Sequence, residues 1–288
     1  MKILHLDSGR EMRGGQWQVL RLHTALVKAG HDSLLLAKDS GPLLTTAMAR
    51  KLPCEPLRPI RLRSQSNAFD LVHAHDANSH TLAALLSRVP FVVSRRVAFP
   101  IKDSAASRKK YARAKRYLAV SRFVAGILAK AGIDENRIEI VYDGVEVPPA
   151  PAHGDEILTP YTEDPAKGMA LAEQVGVPLL RSKNLEADLP RAKAMIYLSQ
   201  SEGLGSGILL AMAYGVPVIA SRVGGIPELI DDGVNGILVE NDAIAIVEAL
   251  KRLNPSLGIK ARETVLSRFT VEHMVEATLN SYQKALHD

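Results

Sequence analysis

The first 150 residues alternate between short apolar runs and longer amphipathic stretches with apolar residues three or four positions apart. The apolar runs have the length of buried strands, and the pattern predicts strands at Lys2–Leu6, Ser33–Ala37, Asp70–Ala74, Phe91–Ser94, Tyr117–Val120 and Arg137–Val141. The amphipathic stretches between them predict helices at Gln16–Ala29, Ala77–Ser87, Ser104–Ala114 and Arg122–Ala131. Such alternation is typical of a doubly wound parallel sheet.

The second half repeats the alternation in a shorter form. Its predicted strands are Glu156–Thr159, Pro178–Leu180, Ala194–Leu198, Val216–Ala220 and Gly236–Val239. A short helix from Gly207 ends at Gly215, a natural C-cap, and the amphipathic helices Glu248–Leu253, Ile259–Phe269 and Val271–Leu286 follow. Prolines make the segment 148–154 a semi-rigid linker. We therefore predict two α/β domains, residues 1–150 and 151–288, the second with a shortened sheet.

Charge is divided unevenly between the two halves. The first 150 residues carry 24 Lys and Arg against 13 Asp and Glu, whereas the remainder carries 12 against 18. Much of the basic excess lies between residues 95 and 116, and it is either a solvated face or a surface that attracts an anionic membrane or an anionic acceptor. Nucleic acid is disfavoured because this segment offers no aromatic stacking platform or known motif.

The chain contains one cysteine, Cys54, which excludes an internal disulfide and indicates a reducing compartment. No signal peptide is expected, because polar residues interrupt the segment 1–7. The longest apolar stretch, 207–220, is too short to span a bilayer and contains glycine and proline. We expect a cytoplasmic protein, with the inner face of the cell membrane as a further location.

Two glycine-rich loops each follow a predicted strand and precede a helix. The loop residues are Gly14 and Gly15 in the first, and Gly203, Leu204, Gly205 and Ser206 in the second. Free N–H groups at such a helix start stabilise an anionic ligand, and glycine lets a ligand approach the backbone. Glu202 beside the second loop accepts hydrogen bonds, which suits sugar hydroxyls rather than a bare phosphate. A tight turn without a ligand is the alternative for either loop.

The segment SEGLGSGILLAMAYGVPVIASRVGGIPELIDDGVNGILVEN, residues 201–241, resembles the donor site of family 4 glycosyltransferases. That family has E-G-F-G, then L-L-E-A-M-A-x-G-x-P-V-x-A-S, G-G, P-E and D-G-x-x-G-x-L-V. Asp70–His75 resembles its D-x-V-H-x-H, and Val141–Glu146 its P-N-G-V-D. The resemblance implies a retaining enzyme with two Rossmann-like domains facing across a cleft, the GT-B fold. It also implies that the last helix packs back on the first domain.

The resemblance implies a set of site residues. His75 and Glu202 would hold the donor sugar, and His73 would be structural. The leaving diphosphate would be bound by Gly14, Gly15, Lys167, Gly203, Leu204, Gly205 and Ser206. Arg95 and Arg96 would line the acceptor side. No metal is expected, since these groups supply the charge that an ion would and the chain has no Asp-x-Asp signature; no cofactor is expected beyond the nucleotide-sugar substrate.

The chain departs from the family pattern at three points. Thr162 stands where an arginine would bind the diphosphate, and Leu210 where a second glutamate would bind the ribose. Only 34 residues separate Lys167 from Glu202, which shortens the second domain. Losing both anchors would weaken donor binding by a few orders of magnitude unless other groups replace them. The candidate replacements are Arg181, Lys183, Ser206 and Arg222.

Three functions remain open from the sequence. The first is a retaining glycosyltransferase that moves a hexose from a nucleotide-sugar to a hydroxyl of an envelope glycolipid or glycan precursor. The second is a non-catalytic glycosyltransferase-like binding protein or partner subunit, which Thr162, Leu210 and the short second domain favour. The third is a nucleotide-sugar epimerase on the same fold.

Overall fold

A computed structural model describes residues 1–287 and divides the chain into two compact units. Unit 1 contains residues 1–142 together with the chain from Val271 onward, and unit 2 contains residues 143–270. Each unit has one sheet, and every pair of neighbouring strands in the described residues is parallel. The prediction of two parallel α/β domains, the second with the smaller sheet, is confirmed.

Unit 1 contains a seven-stranded sheet. Its strands are β1 Lys2–Asp7, β2 Asp32–Ala37, β3 Cys54–Pro56, β4 Leu71–Ala74, β5 Phe91–Arg95, β6 Arg116–Ala119 and β7 Ile138–Ile140. They lie in the order β3-β2-β1-β4-β5-β6-β7. The central strands β1 and β4 are almost wholly buried, as expected for a parallel sheet covered on both faces.

Six helices of unit 1 follow the strands: α1 Gly14–Lys28, α2 Pro42–Ala49, α3 Pro59–Gln65, α4 Ala77–Leu86, α5 Ala105–Arg113 and α6 Arg122–Lys130. The four helices and six strands predicted in this half are confirmed to within two residues at each end. The elements α2, β3 and α3 were not predicted. Pro42 and Pro59 occupy the first position of their helices, where the missing N–H costs no helical hydrogen bond.

Unit 2 contains a five-stranded sheet. Its strands are β8 Glu156–Pro160, β9 Leu180–Ser182, β10 Ala192–Tyr197, β11 Val218–Ser221 and β12 Ile237–Val239, and they lie in the order β12-β11-β10-β8-β9. All five strands were predicted. β9 begins two residues later than expected, because Leu180 to Ser182 rather than Pro178 to Leu180 pair with β8.

The helices of unit 2 are α7 Met169–Glu173, α8 Leu185–Asp188, α9 Ser206–Ala213, α10 Ala243–Arg252 and α11 Pro255–Arg268. The short helices α7 and α8 were not predicted, since a helix of one turn leaves no periodic pattern. α9 ends as predicted, with Gly215 in the left-handed conformation at φ 69°.

The last helix, α12 Val271–His287, belongs to unit 1, as the resemblance implies. Met274 and Ala285 join the apolar core formed with Ile3 and Leu26, and the Tyr282 hydroxyl lies 2.6 Å from Nδ1 of His73. This helix therefore lies outside the predicted second domain of residues 151–288. Within residues 1–287, no helix combines the length and apolar character that a bilayer crossing requires.

The division between the units falls after Tyr142, whereas the predicted boundary followed residue 150. Residues 143–150 belong to unit 2 because their backbone is bound there. The N–H of Val145 donates to the carbonyl of Phe269 at 3.0 Å, and the Arg262 guanidinium donates to the carbonyl of Pro148. The proline-rich segment begins after the chain has already entered unit 2.

Candidate functional site

Each sheet contains one point at which successive connections turn to opposite sides. In unit 1 it lies between β1 and β4, and in unit 2 between β8 and β10. In open parallel sheets, ligands bind outside the carboxyl ends of the strands at such a switch point. The predicted site residues can therefore be compared with two defined places, one in each unit.

In unit 2, the residues that follow β8 and β10 meet through an ion pair. Lys167 ends a single 3₁₀ turn after β8, and Glu202 lies in the loop between β10 and α9. The ammonium group of Lys167 lies 2.6 Å from Oε2 of Glu202, and the hydroxyl of Tyr197 donates to the same oxygen at 3.0 Å. Only 16% of the Glu202 side chain is exposed, so solvent screens this pair less than a surface pair. The structure brings two predicted ligand residues together and bonds them to each other.

The main chain of Glu202 is held by the glycine pair Gly224 and Gly225, which follows β11. The N–H of Gly225 donates to the Glu202 carbonyl at 3.1 Å. Gly224 has φ 57° and lies directly against the same carbonyl, where a side-chain carbon would overlap it. Glycine is therefore required at this position both for its backbone conformation and for the close approach.

The loop before α9 places its predicted residues at the start of that helix. Gly205 has φ 107°, and Ser206 is the first helical residue. The side chain of Leu204 is buried, so a ligand would meet only its main chain. The N–H groups of the first helical turn have no partner within the helix, and they favour negative charge.

Three polar residues that the sequence analysis did not single out connect the strand ends around this loop. The N–H of Ser199 donates to Oγ of Ser221 at 2.9 Å, and that hydroxyl donates to Oδ1 of Asn241 at 2.6 Å. The amide of Asn241 donates back to the Ser199 carbonyl at 2.9 Å. This closed ring of hydrogen bonds ties the ends of β10 and β11 to the segment after β12. No local motif indicates it, since the residues are 20 or more positions apart.

The candidate replacements for the missing anchors have local partners. Arg181 pairs with Glu173 at 2.9 Å, and Arg222 pairs with Asp232 at 2.8 Å. The ammonium of Lys183 lies 4.6 Å from the centre of the Tyr161 ring. The fourth candidate, Ser206, lies at the start of α9, directly after the glycine loop. Thr162 serves a local turn, with its hydroxyl accepting the N–H of Asp164 at 3.1 Å, and Leu210 lies half-buried on α9.

In unit 1, Asp76 joins the segments that follow β1 and β4. It caps α4 by accepting the N–H groups of Asn78 and Ser79. It also accepts the N–H and the hydroxyl of Ser8, each at 2.6 Å. Gly14 begins α1 at the same switch point. Asp76 thereby holds Ser8, in the segment that leads to α1, at the end of β4.

The predicted sugar ligand His75 belongs to a buried histidine cluster. Its Nε2 lies 2.9 Å from Nδ1 of His5, and its Nδ1 lies 3.4 Å from a guanidinium nitrogen of Arg96. His73 binds the Tyr282 hydroxyl and, at 2.8 Å, Oγ of Ser94, which agrees with its predicted structural role. Burial holds the pKa of each of the three histidines well below its usual value, so the rings are neutral. Both ring nitrogens of His75 are engaged within unit 1, and its contact with a sugar stays a prediction.

The three histidines are also the one group within residues 1–287 with the spacing of a metal site, since their ligand atoms lie within 4.8 Å of one another. Two nitrogens bound to one tetrahedral zinc ion would be about 3.3 Å apart. The 2.9 Å separation between His5 and His75 is that of a direct hydrogen bond. Because His73 has a partner at each nitrogen and Arg96 adds positive charge, the arrangement suits a neutral hydrogen-bonded network better than a cation.

The structure separates the two predicted acceptor residues. Arg96 extends towards His75, and its Cδ lies near the start of α1, 3.9 Å from where a side-chain carbon on Gly15 would be. Arg95 instead donates to the Tyr111 hydroxyl of α5 at 3.1 Å and to the Phe99 carbonyl. Arg96 therefore lies with the other predicted residues of unit 1, whereas Arg95 lies against α5.

Asp7, at the end of β1, is a buried acid that the sequence analysis did not select. The N–H of Gly9 donates to it at 2.8 Å, and the amide of Gln16 donates at 3.2 Å. Burial, and then the neighbouring Asp76 carboxylate, raise the pKa of Asp7 to about 6. Its only sequence signal is a polar residue at the end of an apolar run, beside the glycine loop.

The raised pKa of Asp7 predicts a pH dependence of stability. Between about pH 4 and pH 6 the folded protein keeps a proton that the unfolded chain has released, so stability should fall as pH rises through this window. Replacing Asp7 by asparagine should remove this fall and stabilise the protein at pH 7.5 by about 1–3 kcal/mol. Urea unfolding at a series of pH values measures both effects.

The matched control for Asp7 is Asp39→Asn, which changes an exposed aspartate of the same unit, paired with Arg58 at 3.3 Å. This variant should keep the wild-type pH profile. An unchanged fall in the Asp7→Asn variant would show that another group is responsible.

Two family models match the chain in succession. The model described as Glycosyltransferase Family 4 matches residues 12–147, and that described as Glycosyl transferases group 1 matches residues 154–254. The chain belongs to glycosyltransferase family 4. The matched ranges contain both glycine loops, His75, Lys167 and Glu202, and the predicted resemblance is confirmed.

Curated relatives of this family 4 chain match it over shorter stretches. N-acetyl-alpha-D-glucosaminyl L-malate synthase of Bacillus anthracis is 36% identical over 115 residues, which are 38% of the chain and 30% of that protein. D-inositol 3-phosphate glycosyltransferase of Mycolicibacterium smegmatis is 38% identical over 95 residues, 31% of the chain and 22% of that protein. The chain thus matches less than a third of the length of these relatives.

Solved structures similar to the family 4 chain extend over its whole length. Anabaena HepE, in complex with UDP and glucose, superposes with a TM-score of 0.86 over 98% of the chain and 99% of its own, at 15% identity. Sucrose-phosphate synthase from Thermosynechococcus elongatus gives a TM-score of 0.76 over 100% of both chains, at 16% identity. At such identities the likeness establishes the shared GT-B fold.

Proposed function

We propose that this family 4 chain is a retaining glycosyltransferase that transfers a hexose from a nucleotide-sugar to a hydroxyl of an envelope glycolipid or glycan precursor. The observation that carries the proposal is the Glu202 carboxylate, bound by Lys167 at the switch point of unit 2 beside the glycine loop. A carboxylate accepts the hydroxyls of a sugar. The lysine and the N–H groups at the start of α9 provide positive charge for the leaving diphosphate.

The relatives support a nucleotide-sugar as the donor and a hydroxyl compound as the acceptor. HepE binds UDP and glucose, and the two curated relatives are named for a glucosaminyl malate product and for transfer to inositol 3-phosphate. In unit 1, Arg96 and the basic segment that follows it favour an acceptor with negative charge. We propose that this segment also attracts the anionic inner face of the cell membrane, where a glycolipid acceptor would lie.

The charge needed for departure of the diphosphate would come from the chain itself in this mechanism. In unit 2, Lys167 and the loop from Gly203 to Ser206 would stabilise it. The same role for Gly14 and Gly15, at the first turn of α1 in unit 1, stays a prediction. Glu202 would orient the sugar while the acceptor hydroxyl attacks. We propose a metal-independent reaction on this basis.

A non-catalytic binding protein is the second candidate function, and a specific observation favours it. Arg181 and Arg222, which would replace the missing diphosphate anchor, are paired with Glu173 and Asp232. A chain with a weakened diphosphate site would bind a nucleotide-sugar or glycan without promoting departure of the leaving group. The two candidates differ in turnover rather than in binding.

A two-step experiment tests the proposal. UDP, GDP and ADP and their glucose or mannose derivatives are first screened by thermal shift, because a ligand that binds only the folded state raises the melting temperature. The selected donor is then assayed for hydrolysis and for transfer to glycolipid in anionic and neutral vesicles. A product of the same anomeric configuration as the donor is expected, with faster transfer in anionic vesicles.

The other outcomes of this experiment are equally informative. Binding without hydrolysis or transfer indicates the second candidate, and sugar interconversion without an acceptor indicates an epimerase. A chain that shows neither a thermal shift nor turnover with any member of the panel contradicts the proposed function.

A further inference from the structure

The carboxylate of Glu202 is held by one oxygen only. Lys167 and Tyr197 both donate to Oε2, at 2.6 Å and 3.0 Å, whereas Oε1 accepts no hydrogen bond from any residue in 1–287. Without such bonds, the terminal torsion angle of a glutamate side chain has a broad and nearly two-fold distribution. Two donors from different elements on a single oxygen select one orientation. Oε1 then remains as a fixed acceptor with both lone pairs available.

Tyr197 reaches Glu202 because the first turn of α9 leaves room for its ring. Tyr197 is the last residue of β10, and Gly207 is the second residue of α9. A side-chain carbon on Gly207 would lie 3.0 Å from Cε2 of Tyr197 and 3.3 Å from Cδ1 of Leu185. A methyl group at 207 would require the ring to shift by a few tenths of an ångström, and its hydroxyl would shift with it. The contact between Tyr197 and Glu202 therefore depends on glycine at position 207.

The hydroxyl of Tyr197 remains a hydrogen-bond donor at physiological pH. Burial, and then the neighbouring Glu202 carboxylate, hold the pKa of Tyr197 well above its usual value, so the hydroxyl keeps its proton at physiological pH. Its proton goes to the carboxylate oxygen, since an ionised carboxylate can only accept. Such charge-assisted bonds are stronger than bonds between neutral groups.

We infer that Tyr197 is a positioning residue for sugar recognition: with Lys167 it fixes Oε2 of Glu202, so that Oε1 is presented to one hydroxyl of the donor sugar. The inference rests on the proposed function, and it assigns to Tyr197 a part in the selectivity of the donor-sugar site. A fixed acceptor distinguishes epimers that differ at the hydroxyl it binds, because the wrong epimer leaves it unpaired. Pre-organisation also avoids the cost of ordering the side chain on binding.

The inference is tested with Tyr197→Phe, which removes the hydroxyl and keeps the ring. Calorimetry compares UDP-glucose with UDP, or the matching pair for the base that the thermal-shift screen selects. The variant should bind the nucleotide-sugar about tenfold more weakly and the free nucleotide within about twofold of wild type. UDP-glucose and UDP-galactose differ at one hydroxyl. The ratio of their dissociation constants should be closer to one in the variant than in wild type. Gly207→Ala keeps both interacting groups but displaces the ring, and it should show the same pattern.

The matched control is Tyr214→Phe, in the same unit. The hydroxyl of Tyr214 lies at 3.4 Å from the Glu186 carbonyl, and its loss should change neither affinity. The inference is overturned if Tyr197→Phe weakens nucleotide and nucleotide-sugar equally, which indicates a merely structural role, or if it leaves the nucleotide-sugar affinity unchanged.

A ligand-free measurement separates this inference from the proposed function. In protein with ¹³C-labelled tyrosine rings, the Tyr197 signal is the one lost in Tyr197→Phe, and Glu202→Gln should shift it because a neutral amide is a weaker acceptor. A signal that does not move overturns the contact, whatever the protein binds. If wild type binds no nucleotide-sugar, the proposed function fails and the sugar-presenting role with it, even where the shift is observed.

Discussion

Replacing Glu202 by alanine is expected to lower kcat/KM for the nucleotide-sugar by about 100- to 1000-fold, since losing a charge-assisted contact and leaving its partly buried partners unpaired each cost about 1–3 kcal/mol. The change removes the acceptor for the sugar hydroxyl. It also leaves the Lys167 ammonium and the Tyr197 hydroxyl without the oxygen that both bind. Initial rates of transfer at varied donor concentration measure the loss.

Glu240→Ala is the matched control for this prediction. It removes a carboxylate of the same unit whose side chain is 78% exposed and lies 3.9 Å from Arg222. Its kcat/KM should stay within about twofold of wild type, because exposed pairs at this distance contribute little. Melting temperatures of both variants distinguish a lost contact from a lost fold. A folded Glu202→Ala variant with the wild-type rate would refute the role of Glu202.

Gly224→Ala is expected to lower the free energy of unfolding of unit 2 by about 3 kcal/mol or more. Gly224 has φ 57°, and its Cα lies against the carbonyl of Glu202, so the added carbon overlaps a backbone atom that cannot rotate away. The overlap can be relieved only if the loop that carries Glu202 moves. We expect transfer activity to fall along with the urea midpoint, and unfolding curves together with rates measure the two effects.

Gly233→Ala separates backbone strain from overlap. Gly233 has a similar φ of 77°, but the nearest atom to the added carbon is the mobile end of Arg252, at 3.5 Å. This variant should lose about 1 kcal/mol, the cost of the left-handed conformation alone, and should keep its activity. Equal losses in the two variants would contradict the close-approach argument.

The parts of the fold that follow from local pattern were predictable. The apolar run of β1 and the amphipathic stretch of α1 are visible because burial on both faces and burial on one stripe leave different periods. By contrast, β3 has three residues and α7 has five, too few to show either period. Their existence depends on the neighbours that they pair with or cover.

The glycines of the candidate site could be selected from the sequence, whereas several of its polar residues could not. Gly203, Gly205 and Ser206 are adjacent in sequence, so their motif is readable and indicates a ligand loop at a helix start. Asp7 and Tyr197 have no such motif. Each is a polar residue at the end of an apolar strand, and its significance comes from partners brought to it by folding.

The amino-acid sequence alone determined the two parallel sheets, the glycine loops and the family, because these depend on periodicity and on residues close together in the chain. Tertiary structure decided that Lys167 binds Glu202, that His75 binds His5 and Arg96, and that α12 belongs to unit 1. These contacts join residues tens of positions apart. Sheet order sets which strand ends are neighbours, and neither composition nor spacing along the chain encodes that order in readable form.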